Sequence, residues 1–431
     1  MLDINFIREN RQTVENAVHN KACRVDVSEV IELDDTRKAL GRKVDELRRE
    51  RNEISSKMKN GKPDEDLVNQ GRLLKVELAK FEGQLSSAED EFLAKLKLIP
   101  NVPCDDVPVG LSEDENVVAE VCGEPTKFDF TPKNHYEIGV ARNWIDKERA
   151  AKVTGARFAY IKGEMALLQM AIVSFVMESL SDEKVLAEII EKNNLDVSTK
   201  PFVPVLPPLM LKTEMYDAMD RLDPRDDRYK IDGEELWLQG SAEHVLGSMH
   251  ANEVLEEKEM PLRYLGYATS FRQEAGTYGK DMEGIIRMHQ FDKLEMESFS
   301  LKENSYNEHL LMVAIQRWLV EKLELPYRVI QKCTYDIGKP DARGIDIEVW
   351  LPGQDKYRET HTADYMTDYQ TRRLNTRVRR ENGVELLHTN DATAFALGRC
   401  MIAIIENYQN EDMTVRVPVV LKKYLGGKES I

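Results

Sequence analysis

Residues 271–295 read FRQEAGTYGKDMEGIIRMHQFDKLE, and the fold is decided by how this stretch is parsed. Within residues 261–299 two apolar runs flank a polar, glycine-containing middle, which predicts two antiparallel strands joined by a long loop. Arg272 offers a planar fork of donors suited to phosphate. Glu274, two residues on, falls on the same face of an extended strand. The loop glycines permit close approach of a ligand. Arg287 and Phe291 return on the second strand, where an aromatic face can stack on a base, and Glu295 adds a carboxylate. The same residues also fit a charged surface hairpin laced with ion pairs. No GxxxxGK[ST] loop is present, which excludes a P-loop enzyme.

The flanking sequence extends this sheet. Phe202–Leu209 is a short apolar run interrupted by prolines, suited to an edge strand or an interface. Asp346–Leu351 alternates as a half-buried strand does. Residues 164–195 carry helical periodicity, and Ala394–Tyr408 is small and apolar, suited to a buried helix. Strands joined by hairpins with helices laid against them define an α+β fold built on an antiparallel sheet.

The first hundred residues follow a different rule. Leu33, Leu40, Leu47 and Ile54 recur every seven residues, with Val44 and Met58 between them. A second seam runs through Leu67, Leu74, Leu78, Phe81, Leu85, Ala88 and Phe92. The turn residues Asn60–Asp64 separate the two. This predicts an antiparallel α-helical coiled-coil arm over about residues 30–97, each helix about 45 Å long. Basic residues cluster at Arg48, Arg49 and Arg51, and at Lys57, Lys59 and Lys62. They fit a solvated helix face or a surface that follows RNA phosphates, and the cluster alone does not decide. Acidic, Pro- and Gly-containing sequence from Ile99 to about residue 125 reads as a linker. The expected division is residues 1–110 for the N-terminal domain and 111–431 for the catalytic domain.

The formal net charge of −17 argues against a histone-like nucleic-acid coat but not against a local RNA site. Cys23, Cys104, Cys122, Cys333 and Cys400 include no CxxC pair, so neither a disulfide framework nor a zinc site is expected. The N-terminus lacks the apolar core of a signal peptide, and no membrane span is expected. These features point to a cytoplasmic protein.

The pattern FRxEAG, a loop, then RxHQFxKxE resembles motif 2 of the class II aminoacyl-tRNA synthetases, and the seryl enzymes in particular. Phe202–Leu209 resembles motif 1, with Pro207 at the dimer-interface proline. Asn390–Arg399 and the helix to Tyr408 resemble motif 3, and both Asp146–Gly163 and the N-terminal hairpin resemble the same family. The resemblance implies a homodimer that uses ATP and Mg²⁺ to activate L-serine and loads it onto tRNA(Ser), bound along the arm. It implies catalytic roles for Arg272 at the α-phosphate and carboxylate region, for Arg399 at the γ-phosphate, and for Glu359 as the Mg²⁺ carboxylate. Thr362 stands where the helper serine of the metal site is usual. Glu274 is implied on the adenine side and Phe291 stacked on the base. Gln273, Arg287, Thr360 and His361 complete the implied nucleotide contacts, with no catalytic role for His361. Glu295 and Thr393 are implied to read the substrate hydroxyl.

The amino-acid pocket departs from the family pattern. Thr-x-Glu becomes Ser241-Ala242-Glu243, and the Asn-Gly-Ser or Asn-Gly-Thr of motif 3 becomes Asp391-Ala392-Thr393. Ala363-Asp364-Tyr365 stands where Cys-Ser-Asn or Thr-Ser-Asn is usual. A pocket that hydrogen-bonds a substrate hydroxyl rejects an analogue lacking it by up to about 10⁴-fold or more. Glu295 and Thr393 therefore favour serine, and Asp391 is expected to bring negative charge toward the substrate ammonium or to pair with a cation. Two other readings stand beside this one. One is a diverged relative that activates serine or another small amino acid for an acceptor other than tRNA. The other is an inactive tRNA-binding protein, which the presence of Arg272, Glu274, Glu359 and Arg399 opposes.

Overall fold

The computed structural model describes residues 1–59, 65–275 and 284–431. The expected turn at Asn60–Asp64, including Lys62, and the loop glycines Gly276 and Gly279 lie outside these residues. The chain forms two compact units, Met1–Val102 and Pro103–Ile431.

In the first unit two long helices, α1 (Val27–Lys59) and α2 (Glu65–Leu96), pack against each other. Val44 and Leu47 meet Leu74 and Leu78 in a buried seam flanked by Ile54, Phe81 and Leu85. These are heptad positions, whose 3.5-residue repeat keeps one stripe of each helix facing the other. Leu33 and Leu40 are only half-buried. Arg48 reaches across the pair to Glu82 at 2.9 Å, while Arg49 and Arg51 are exposed.

Among the described residues the second unit is built on an eight-stranded sheet. Its strands are β1 (Val117–Cys122), β2 (Val203–Val205), β3 (Leu262–Phe271), β4 (Gln290–Ser300), β5 (Tyr327–Gln331), β6 (Arg343–Leu351), β7 (Lys356–Thr367) and β8 (His388–Ala396). They lie in the order β1-β5-β6-β7-β8-β4-β3-β2. Every neighbouring pair is antiparallel except β2 with β3. The proline-studded run thus forms an edge strand, where a missing N–H is tolerated.

Alternation gives this sheet two chemically distinct faces. Leu294, Met296, Ala363, Ala392 and Ala394 are fully buried in the main core. Helices α3 (His135–Ala141), α4 (Gly163–Leu180), α5 (Glu183–Lys192), α6 (Ala242–Gly247), α7 (Ser305–Lys322) and α8 (Leu397–Asn407) complete the framework. Helices α4, α7 and α8 supply the core partners of that apolar face. Helix α4 is long and apolar enough to cross a membrane by composition, but Met165, Leu168, Ile172, Phe175 and Val176 are spent in this core. Ala394 belongs to β8 rather than to the following helix, which begins at Leu397. Small apolar residues there are consistent with either element, and pairing with β4 decides for strand.

The other face carries polar side chains and α6. Gly266 of β3 makes that docking possible, because a Cβ there would lie 2.8 Å from Leu246 Cδ1.

Candidate active site

The polar face is organised in cross-strand rows. Glu295 on β4 is the register partner of Thr393 on β8, and Glu297 is the partner of Asp391. Asp391 is in turn the partner of Asp364 on β7. Arg272 follows β3 directly, and Phe291 lies on β4. Arg272, Glu274, Arg287, Phe291, Glu359, Thr360, Thr362, Thr393 and Arg399 line one open cleft.

At one end of the cleft, Arg272 donates from Nε to Gly240 O at 3.0 Å, and its guanidinium lies 5.5 Å from the Phe291 ring centroid. Glu274 is not on the strand. It has a φ of +53°, which turns the chain back and brings its carboxylate 3.0 Å from Arg287 Nη1. The two-residue spacing therefore places Glu274 in the cleft by a turn and not by strand alternation. Gln273 points elsewhere, donating from Nε2 to Arg228 O at 2.9 Å.

The far wall comes from β7 and α8. Thr360 is an extra residue in the β6–β7 ladder, because His361 pairs with Ile347 while Glu359 pairs with Glu348. This bulge puts both Glu359 and Thr360 in the cleft wall. His361 goes to the interior, 1% exposed, with its ring centroid 4.9 Å from that of Phe395. Burial lowers the imidazole to about 3, so it is neutral, and it does not line the cleft. Arg399 Nη1 donates to Glu359 O at 2.8 Å and lies 3.0 Å from Glu359 Oε1. Desolvation opposes the Glu359 charge, but Arg399, Lys332 and Lys293 outweigh it and hold the carboxyl below its ordinary range.

A second cluster centres on Glu295, which is fully buried behind the cleft lining. Thr393 Oγ1 donates to Glu295 Oε1 at 3.2 Å, Ser241 Oγ donates to Oε2 at 3.1 Å, and Lys293 Nζ lies 2.6 Å from Oε2. Ser241 precedes α6 without capping it, which leaves its hydroxyl for Glu295. Ala242 packs beneath Gly266. Glu243 turns to Arg221, whose Nε donates at 2.7 Å, and Arg221 Nη2 donates to Asp341 at 3.1 Å.

Asp391 does not deliver the charge that its side chain implies. It is 2% exposed, its Oδ1 has no hydrogen-bond partner, and it does not line the cleft. Burial, then Glu243 and Asp364, push its carboxyl well above the ordinary range against the opposing effect of Arg221. Glu297 is raised well above its range by burial, Glu243 and Glu295, and neither of its oxygens has a partner. Both acids are therefore pushed toward their protonated forms by their surroundings. Asp364 instead has a cation: Lys332 Nζ lies 2.8 Å from its Oδ1 and donates to Thr362 Oγ1 at 2.9 Å.

Lys293, Lys332, Arg221 and Glu297 were not singled out by sequence reasoning. Lys293 and Glu297 had a usable signal, being two residues either side of Glu295 on one strand face. Lys332 and Arg221 reach the site only through tertiary pairing.

The largely antiparallel sheet with a polar cleft on one face is the catalytic core of a class II aminoacyl-tRNA synthetase. Residues 228–408 match the family model described as tRNA synthetase class II core domain (G, H, P, S and T), and residues 1–103 match the seryl-tRNA synthetase N-terminal domain. The serine–tRNA ligase of Thermodesulfovibrio yellowstonii is 38% identical over 99% of both chains. The seryl-tRNA synthetase of Pyrococcus horikoshii, solved with ATP, superposes with a TM-score of 0.88 at 34% identity, covering 100% of this chain and 99% of that one. The Naegleria fowleri cytoplasmic enzyme, solved with AMP, gives 0.83 at 27% identity, covering 100% and 98%. The chain belongs to the seryl-tRNA synthetase family, and its reaction is ATP-dependent activation of serine followed by transfer to tRNA.

Proposed function

We propose that the cleft divides this reaction among its residues as follows. Arg272 grips the α-phosphate and the serine carboxylate, and Phe291 stacks on adenine beside the Glu274–Arg287 pair. Arg399 holds the γ-phosphate. Glu295 and Thr393 receive the serine hydroxyl, with Ser241 and Lys293 fixing the Glu295 carboxylate. The serine carboxylate attacks the α-phosphorus in line, and pyrophosphate leaves. The arginines stabilise the charge on the transferring group, so the protein supplies positioning and electrostatics and forms no covalent intermediate. The tRNA terminal hydroxyl then attacks the adenylate carbonyl and AMP leaves.

Among the described residues no three His, Cys, Asp or Glu side chains converge on a metal position. The donors present nevertheless fit a hard ion carried in by the phosphates. Glu359 and Thr362 offer oxygens in the cleft wall, and Asp346, the register partner of Thr362, adds a carboxylate whose Oδ1 lies 3.5 Å from Lys332 Nζ. Mg²⁺ held by Glu359 and Thr362 would neutralise phosphate charge. The partners follow the same reading: tRNA(Ser) along the α1–α2 arm, and a second copy of the chain at the edge strand, where Val203 and Leu206 are 52% and 80% exposed. The cytoplasm is the proposed compartment.

One observation carries the assignment: Arg272 and Thr393 line a single cleft, and the Thr393 hydroxyl donates to the buried Glu295 carboxylate behind it. The test is pyrophosphate exchange with serine, alanine, threonine and cysteine. Serine is expected to be fastest, and faster exchange with any other amino acid overturns the pocket assignment.

A further inference from the structure

Helix α3 opens with a histidine that the cleft lining does not include. His135 is 3% exposed and sits between two elements with opposite demands. On α8, Glu406 Oε1 accepts from the His135 backbone N–H at 2.9 Å and lies 2.9 Å from ring Nδ1. Glu406 Oε2 accepts from Gly353 N at 3.0 Å. A carboxylate with donors on both oxygens acts as acceptor only, so Nδ1 carries the ring proton. Nε2 is then an acceptor, and it receives the Ile285 N–H at 3.3 Å.

The fit on that side is close. Gly284 has a φ of +70°, and a Cβ there would stand 1.9 Å from His135 Nε2. Only glycine lets the backbone rest against the ring at this point. The next residues, Ile285, Ile286 and Arg287, are a wall of the cleft that also holds Phe291. The ring therefore fixes the backbone at the root of that wall, from the side away from the ligand.

We propose that His135, in the tautomer set by Glu406, is a positioning residue for ATP. It seats the Ile285 amide and so sets the wall against which the base lies while Phe291 stacks on it. The inference rests on the reading of the cleft as the ATP site.

The test uses two amides that each mimic half of the ring. His135→Asn keeps a donor near the Nδ1 position for Glu406 and loses the acceptor for Ile285. His135→Gln places an amide oxygen near the Nε2 position and loses the Nδ1 donor. In serine-dependent pyrophosphate exchange, His135→Asn is expected to raise KM for ATP about 10-fold, the scale of a buried amide left unpaired. Its kcat and KM for serine should stay within about 3-fold, and His135→Gln should keep a KM for ATP near that of the unaltered protein. The reverse order, with His135→Gln the worse, would show a ring that merely fills the core beside Glu406 and would overturn the proposal. Hydrogen exchange on the unaltered protein gives a second measurement that does not depend on a variant folding. The Ile285 amide should exchange slowly, and fast exchange overturns the proposal as well. Arg287→Ala separates the two levels: an unchanged KM for ATP in that variant means that the cleft reading has failed, whatever the histidine does.

Discussion

Asparagine at position 391 tests how the pocket carries its charge. Asp391 is buried beside Glu243, Asp364 and Glu297, with Arg221 as the opposing cation. Its folded-state pKa is raised, so the native protein keeps a proton that the unfolded chain releases above about pH 4. Below that pH both states hold the proton and the full stability is present. Stability is then lost as pH rises through the folded pKa. While the native state holds one proton more, the slope is about 1.4 kcal/mol per pH unit. An asparagine carries no such proton. Above pH 5 the variant should therefore gain about 1.4 kcal/mol per pH unit relative to the unaltered protein until the pH reaches the folded pKa. Glu297 has the same sign, so the variant keeps part of the slope. The assay is urea unfolding followed by tryptophan fluorescence. Trp144, Trp237, Trp318 and Trp350 all lie in the catalytic unit, so the signal reports on it alone. A difference between the two proteins that does not change from pH 5 to pH 7, or that favours aspartate as pH rises, would refute a raised pKa at Asp391.

Three further variants follow from the geometry. Arg272→Ala should lower serine-dependent pyrophosphate exchange by about 10³-fold, the scale of a lost transition-state donor, with urea unfolding nearly unchanged. Thr393→Ala should raise KM for serine about 10-fold, because one hydrogen bond to Glu295 is lost. The same variant should narrow the preference for serine over alanine, measured as the ratio of kcat/KM values. Arg263 and Glu308 form a buried two-bond pair at 2.8 and 2.6 Å, so Arg263→Ala should destabilise the catalytic unit by about 3 to 5 kcal/mol in urea unfolding.

Much of this architecture is visible in the linear pattern because it depends on local rules. The helical arm follows from a seven-residue repeat, and Val44, Leu47, Leu74 and Leu78 meet as that repeat requires. The antiparallel pairing of β3 with β4 follows from two apolar runs, and Arg272, Phe291, Thr393 and Arg399 share a cleft beside it. What local rules miss is set by tertiary pairing or by an unusual backbone. Glu274 reaches Arg287 through a left-handed turn. Thr360 enters the cleft wall and His361 leaves it because of a bulge opposite Ile347 and Glu348. Lys332 meets Asp364, and His135 meets Glu406, across separations of 32 and 271 residues. The raised pKa of Asp391 depends on burial and on three acids from other elements, none of which its own neighbours in sequence reveal.

The most direct measurement of the central claim is aminoacylation of total tRNA with labelled serine. The unaltered chain should place label on tRNA only when ATP is present, and Arg272→Ala should remove nearly all of it. Exchange of pyrophosphate with serine but no label on tRNA would contradict the account.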